Sequence, residues 1–212
     1  AASDVYKRQS DGRLYKASDM VKADCGGCNG CSRCCHGMGN SIILDPYDVY
    51  RMTTGMGKSM QELLAASVEL NVVDGVILPN LKMQGTKEAC AYLDEEGRCS
   101  IHPYRPGICR LFPLGRYYEN GGFSYFLQTG ECAKENRSKI KVSKWIDTPD
   151  LTRNQQFTLQ WHDLLHAMEE RLTGEDEGKQ QEENLLLLRL FYLLPYKGTT
   201  DFYSQFMERM EY

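Results

Sequence analysis

Four of this chain's nine cysteines fall within eight residues, Cys28-Asn29-Gly30-Cys31-Ser32-Arg33-Cys34-Cys35. Thiols at that density are disulfides or metal ligands, because a core that needs only small apolar fillers does not crowd them. The others are Cys25 just before the run and Cys90, Cys99, Cys109 and Cys132 beyond it. Disulfides fit poorly. The count is odd, Cys34 and Cys35 cannot bridge each other without strain, and 212 residues at 42% hydrophobic content can build a core without covalent staples. Burial as a free thiol accounts for one residue, such as Cys25. It does not account for a run interleaved with glycine and polar spacers.

Metal ligation fits better. In Cys-x-x-Cys both sulfurs reach one ion across a tight backbone knuckle, and Cys28/Cys31 and Cys31/Cys34 both have that spacing. The glycines around the run (Gly26, Gly27, Gly30, Gly37 and Gly39) let the backbone fold closely about a ligand. Cys34 and Cys35 point in different directions, so the run divides between two sites or shares one polynuclear cluster. The eight thiols Cys28, Cys31, Cys34, Cys35, Cys90, Cys99, Cys109 and Cys132 match two four-sulfur sites.

Structural zinc usually pairs one knuckle with another, and the four later cysteines contain none. Cys25, Cys28, Cys31 and Cys35 instead reproduce the x2, x2, x3 spacing of bacterial ferredoxins, with His36 where proline would follow. The cofactor expectation is therefore an iron–sulfur cluster ahead of zinc. His36 and His102 read as neighbours of the site rather than ligands. Arg33, Arg98, Arg105 and Arg110 lie near cysteines in sequence. A four-thiolate site keeps a charge of about −2, which guanidinium groups stabilise. Arg110, next to Cys109, is the expected cofactor-contacting cation.

Cys28-x-x-Cys31-x-x-Cys34-Cys35, followed by Cys90, Cys99-Ser-Ile-His-Pro-Tyr-Arg-Pro-Gly-Ile-Cys109-Arg-Leu-Phe-Pro and Cys132, resembles the YkgJ-type cysteine-cluster family. That family carries a CxxCxxCC zinc- or iron-chelating domain, and the likeness spans residues 25–135. It implies metal chelation through the eight cysteines. Some relatives are described as flagellin lysine N-methylases, so it also points, more distantly, to a cluster-dependent protein-modifying enzyme with a protein substrate. A structural zinc module presenting helices to a protein partner is a further alternative. Catalytic residues are not identifiable. Cys25 is extra to the family pattern.

A net charge of −4 with both signs mixed gives no case for nucleic acid or an anionic membrane. No apolar stretch is long enough to span a bilayer. The first ten residues lack the apolar centre of a secretory signal, which suggests a cytoplasmic protein with reduced thiols. Asp4-Val5-Tyr6-Lys7-Arg8-Gln9 resembles a translated sequencing adapter.

The element pattern predicts an α+β fold with three segments. Residues 1–20 read as a polar leader, 21–147 as a metal-centred cysteine domain with short antiparallel hairpins, and 148–212 as a helical subdomain. Ser41–Leu44 reads as a strand, and Asp45-Pro46 opens a helix. Ser59 and Glu62 form a capping box for a helix over 60–70. Val72–Leu78 turns at Asp74-Gly75, and Arg98–Ile101 reads as a strand. Arg116–Tyr118 and Phe123–Leu127 pair across Asn120-Gly121-Gly122. His102–Gly107 is a rigid loop or one helical turn, and the basic stretch Lys134–Lys144 a solvated linker.

Beyond Thr148 the helical stripe is Phe157, Trp161, Leu164, Leu165, Met168 and Leu172. Gln180–Leu194 is apolar nearly all round and expected to be buried. Phe202, Phe206 and Met210 stripe a last helix. His162-Asp163-Leu164-Leu165-His166 has the spacing of a zinc-protease motif, but Asp replaces the glutamate base and the histidines fall on the polar side. No phosphate-binding glycine loop follows a strand, so no Rossmann-type methyltransferase site is visible.

Overall fold

The computed structural model describes residues 9–26, 31–134 and 136–212. Cys28, the adapter-like residues 4–8 and Glu135 lie outside them. The fold is α+β. Strands β1 (Ser10–Tyr15) and β2 (Met20–Asp24) come first. Helices α1 (Pro46–Met56) and α2 (Met60–Ala66) lead into the hairpin β3 (Val68–Val73) and β4 (Val76–Leu81), then the short pair β5 (Met83–Gln84) and β6 (Ala89–Cys90). A short helix α3 (Gly107–Leu111) precedes β7 (Leu114–Glu119), β8 (Gly122–Gln128), β9 (Ser138–Lys141) and α4 (Val142–Ile146). Helices α5 (Leu151–Leu172), α6 (Glu177–Leu188) and α7 (Phe202–Met210) complete the order.

Local chemistry explains most boundaries. Asp45 accepts the backbone N–H of Asp48 at 2.8 Å, Asp48 accepts that of Asp45 at 3.2 Å, and Pro46 fills the first turn of α1. Ser59 and Glu62 cap α2 in the same reciprocal way. That helix stops at Ala66, short of the expected residue 70, because Val68–Val73 pairs in register with Val76–Leu81. Branched side chains there favour the strand over another helical turn. Asp74 and Gly75 make the tight turn, both at positive φ (+51° and +83°).

Four further expectations change. Residues 10–20, read as leader, supply β1 and the start of β2. Strand β1 pairs antiparallel with β8 in a sheet of order β1-β8-β7. The basic stretch read as a linker contains β9, which pairs with β2 through Val21 and Ile140. Alternation of Val21 and Ala23, both buried, was the signal for that pair. Arg98–Ile101 is not a strand; Cys99 makes one isolated bridge to Leu93. Ser41–Leu44 likewise contributes only the bridge Ile43–Asn80.

Two apolar cores hold these elements. The larger joins α1, α2 and β4 to the C-terminal helices through Leu44, Tyr47, Met52, Leu63, Leu81, Phe157, Trp161, Tyr192 and Phe206. The smaller lies under the three-stranded sheet and α4, with Val21, Leu111, Leu114, Tyr125, Val142 and Ile146. Helix α6 is not buried all round. Leu187 and Leu188 face the larger core while Leu185 is 62% exposed, because the helix packs through one side only. Among the described residues no helix is long and apolar enough to cross a membrane.

Candidate metal centre

The described cysteines lie on short, turn-rich segments, and Cys90, Cys99 and Cys109 pack against the larger core. Arg33–Cys35 forms a single 3₁₀ turn, in which the N–H of Cys35 donates to the carbonyl of Ser32 at 2.8 Å. Gly37 then donates to the carbonyl of Glu88 at 2.9 Å, and His36 bridges to Ala89. These bonds strap the end of the run onto β6, whose last residue is Cys90. The chain loops back through Gly97 (φ +72°) so that Cys99 bridges to Leu93, which itself donates to the carbonyl of Cys90 at 2.9 Å. Cys109 sits in α3. Its helix is anchored by buried Asp48, whose Oδ1 accepts the N–H of Gly107 at 2.6 Å.

Two cavities receive these thiols. The larger, about 260 Å³, is lined by Cys34, Cys35, Cys90, Cys99 and Cys109, with Arg105 and an apolar wall that includes Ile42, Leu81 and Ile108. The smaller, about 20 Å³, is lined by Cys25, Cys31, Cys34 and Cys132, with Arg33, Lys134 and Trp145. Cys34, Phe112 and Glu131 line both. All eight described cysteines are half-buried. Among the described residues, no three Cys, His, Asp or Glu side chains are gathered tightly enough to hold a single ion. In the larger cavity the thiols ring a space instead of meeting at a point.

The thiols differ electrostatically. Cys35 donates a hydrogen bond to Cys34 and, with attraction from Arg105, brings Cys34 down to about 6 against the opposing effect of burial. Cys35, which keeps the proton of that bond, is pushed up. Burial pushes Cys90, Cys99 and Cys109 up too, and for Cys109 the nearby Asp48 carboxylate adds to it. Buried thiols that resist ionisation alone become thiolates when a cation replaces the proton. The donor set therefore fits a thiophilic metal.

Other predicted residues fall elsewhere. Arg110 is not among the residues lining either cavity. It is 4% exposed, donates to Thr148 Oγ1 at 2.9 Å, and packs over the Tyr47 ring at 5.9 Å. One residue along a helix turns the side chain by about 100°, so adjacency to Cys109 in sequence carries Arg110 away from its thiol. Arg105 lines the larger cavity and Arg33 the smaller. His36 lines neither cavity; its ring nitrogens approach Lys87 O (3.3 Å) and Ser32 Oγ (3.5 Å). His102 occupies the 3₁₀ turn His102–Tyr104, outside both linings, with its pKa lowered by burial. His162 stacks on Tyr118 with centroids 3.9 Å apart, and His166 lies 3.5 Å from Glu170.

Sequence reasoning passed over Asp48 and Glu131. Asp48 had a signal in the Asp45-Pro46-Tyr47-Asp48 capping box, but its second task at Gly107 is a long-range contact. Two further grooves of about 310 and 330 Å³ flank the C-terminal helices and contain no cysteine or histidine.

A half-buried set of eight described thiols thus lines two neighbouring cavities. The chain belongs to the CxxCxxCC family, whose model is described as a "putative zinc- or iron-chelating domain" and matches residues 27–157. No curated protein and no solved structure matches it.

Proposed function

We propose that this chain binds an iron–sulfur cluster, held by cysteines of the run Cys28–Cys35 together with Cys90, Cys99, Cys109 and Cys132. The observation that carries this reading is the cavity of about 260 Å³ ringed by five thiols. A single zinc ion draws four sulfurs to about 2.3 Å from one centre. Thiols spaced around a multi-atom cavity suit a polynuclear cluster, which bridges sulfurs that one ion cannot gather. The ferredoxin-like spacing of the run points the same way.

Bound there, a cluster would supply one-electron chemistry. The protein's share is to hold and tune it. Arg105 favours the thiolate form of Cys34. Ile42, Leu81, Ile101 and Leu114 limit water on the cavity's apolar side. Burial and nearby positive charge both move a cluster's potential.

Anaerobic purification followed by iron, zinc and inorganic sulfide analysis tests this. The expected result is iron with stoichiometric sulfide and absorption at about 400 nm. Zinc without sulfide or colour would overturn the cluster and leave a zinc chelator. Absence of any bound metal after reconstitution would overturn chelation itself.

A further inference from the structure

The basic stretch from Lys134 to Lys144 is not used by the chelation reading. It holds five basic residues and one acidic, Glu135, in a chain whose net charge is −4. The fold turns its middle into one strand of a charged ribbon. Strands β2 and β9 pair through Met20–Lys141, Val21–Ile140 and Asp24–Ser138. Val21, Ala23 and Ile140 turn inward to the smaller core. Side chains alternate across a strand, so Lys139 and Lys141 take the opposite face with Met20 and Lys22, and all four are exposed. The register shifts between Val21 and Asp24, which sets Lys22 and Ala23 against the single residue Lys139.

Like charges opposite one another in a sheet are destabilising. Among the described residues, Lys22, Lys139 and Lys141 make no ion pair that would relieve this. The neighbouring carboxylates are engaged in turns. Asp19 accepts the N–H of Lys16 at 2.7 Å, and Asp24 accepts the N–H of Gly26 at 3.0 Å and the hydroxyl of Ser138 at 3.2 Å. Lysines that only blunt a sheet edge need not be gathered on both strands of one ribbon.

We propose that the solvent face of the β2–β9 ribbon is a docking surface for an acidic segment of a partner protein, with Lys22, Lys139 and Lys141 meeting its carboxylates and Met20 giving an apolar contact beside them. An extended segment suits the spacing. Lys139 and Lys141 are two residues apart, roughly 6.6 Å along a strand, which is the repeat of alternate side chains in an extended peptide. A nucleic acid suits it less. The face carries no aromatic ring on which a base could stack, and the net negative chain around it repels a long polyanion. The basic stretch begins at Lys134, which lines the smaller cysteine cavity, so a partner seated on the ribbon would lie alongside the cysteine segments.

The test is fluorescence anisotropy of the whole chain, as purified, with a labelled peptide of alternating glutamate and serine. Wild type should bind at low salt and weaken as added salt screens the lysines. Lys22→Glu/Lys139→Glu/Lys141→Glu should bind about tenfold more weakly or worse. The corresponding triple glutamine variant, which spares the ribbon a charge reversal, should weaken in the same direction. A matched reversal of exposed lysines elsewhere, Lys58→Glu/Lys87→Glu/Lys197→Glu, should stay close to wild type. Carbodiimide cross-linking of the peptide should map to Lys22, Lys139 or Lys141. No binding at low salt, equal weakening in the matched control, or cross-links chiefly to other lysines would overturn the docking surface. Tighter binding of a labelled single-stranded oligonucleotide than of the peptide would overturn an acidic protein as the partner in favour of nucleic acid. None of these readouts depends on metal content, so their failure leaves the chelation reading standing.

Discussion

The helical half and the cysteine half of this molecule are ordered by different means. Around α5 and α7, Phe157, Trp161, Phe202 and Phe206 are almost wholly buried, and their rings meet edge to face at centroid separations such as 4.8 Å for Phe157–Phe206. The cysteine segments have strands of two residues, 3₁₀ turns and half-buried thiols. Apolar area specifies the first region without help. The second has backbone bonds that bring its thiols near each other but little apolar surface of its own, which is the situation in which ligation energy becomes folding energy. On the chelation reading proposed above, the helical scaffold presents a region that metal would complete.

Several substitutions sharpen or break this contrast. Phe157→Ala should have the largest effect, about 3–5 kcal/mol of stability, equal with and without metal, as read by denaturant unfolding of both forms. A loss confined to the metal-bound form would break the contrast. Asp48→Ala tests the seam, because Asp48 caps α1 and holds Gly107 ahead of Cys109. It should cost about 2 kcal/mol and also weaken metal retention, measured by competition with a chelator. Unaltered retention would show that Cys109 does not depend on that anchor.

A smaller effect follows from Asp45. Burial and the neighbouring Asp48 push its carboxyl up to about 7 from an ordinary 3.8. The folded chain then binds this proton more tightly than the unfolded one. Its contribution is fully present below 3.8 and is lost as pH rises toward 7. Unfolding free energy should fall across that window in wild type and less so in Asp45→Asn, which keeps the cap. Parallel pH profiles would refute this. Smallest is Ser59→Ala, which removes only the cap of α2. It should cost about 1 kcal/mol with metal content unchanged.

The legible parts of the sequence were local. Capping boxes at Asp45 and Ser59, the turns at Asp74-Gly75 and Asn120-Gly121, and the stripe from Phe157 to Leu172 stand where their residues imply. What escaped depends on partners far along the chain. Residues 10–15 show no buried face, since Asp11 to Leu14 are all exposed, and only pairing with β8 makes them a strand. Cys25 stood outside the family pattern, and spacing alone cannot show that Cys132 lines the same cavity. Arg110 looked like a cluster partner because it adjoins Cys109, whereas Arg105 faces the thiols from a different turn.

The most direct test of metal-completed order on a preformed scaffold is amide hydrogen exchange of the whole chain, before and after complete metal removal. The account predicts that amides across residues 31–36 and 90–109 lose protection on removal while those of α5 and α7 keep theirs. Unchanged protection in the cysteine segments, or loss of the helices together with them, would contradict it.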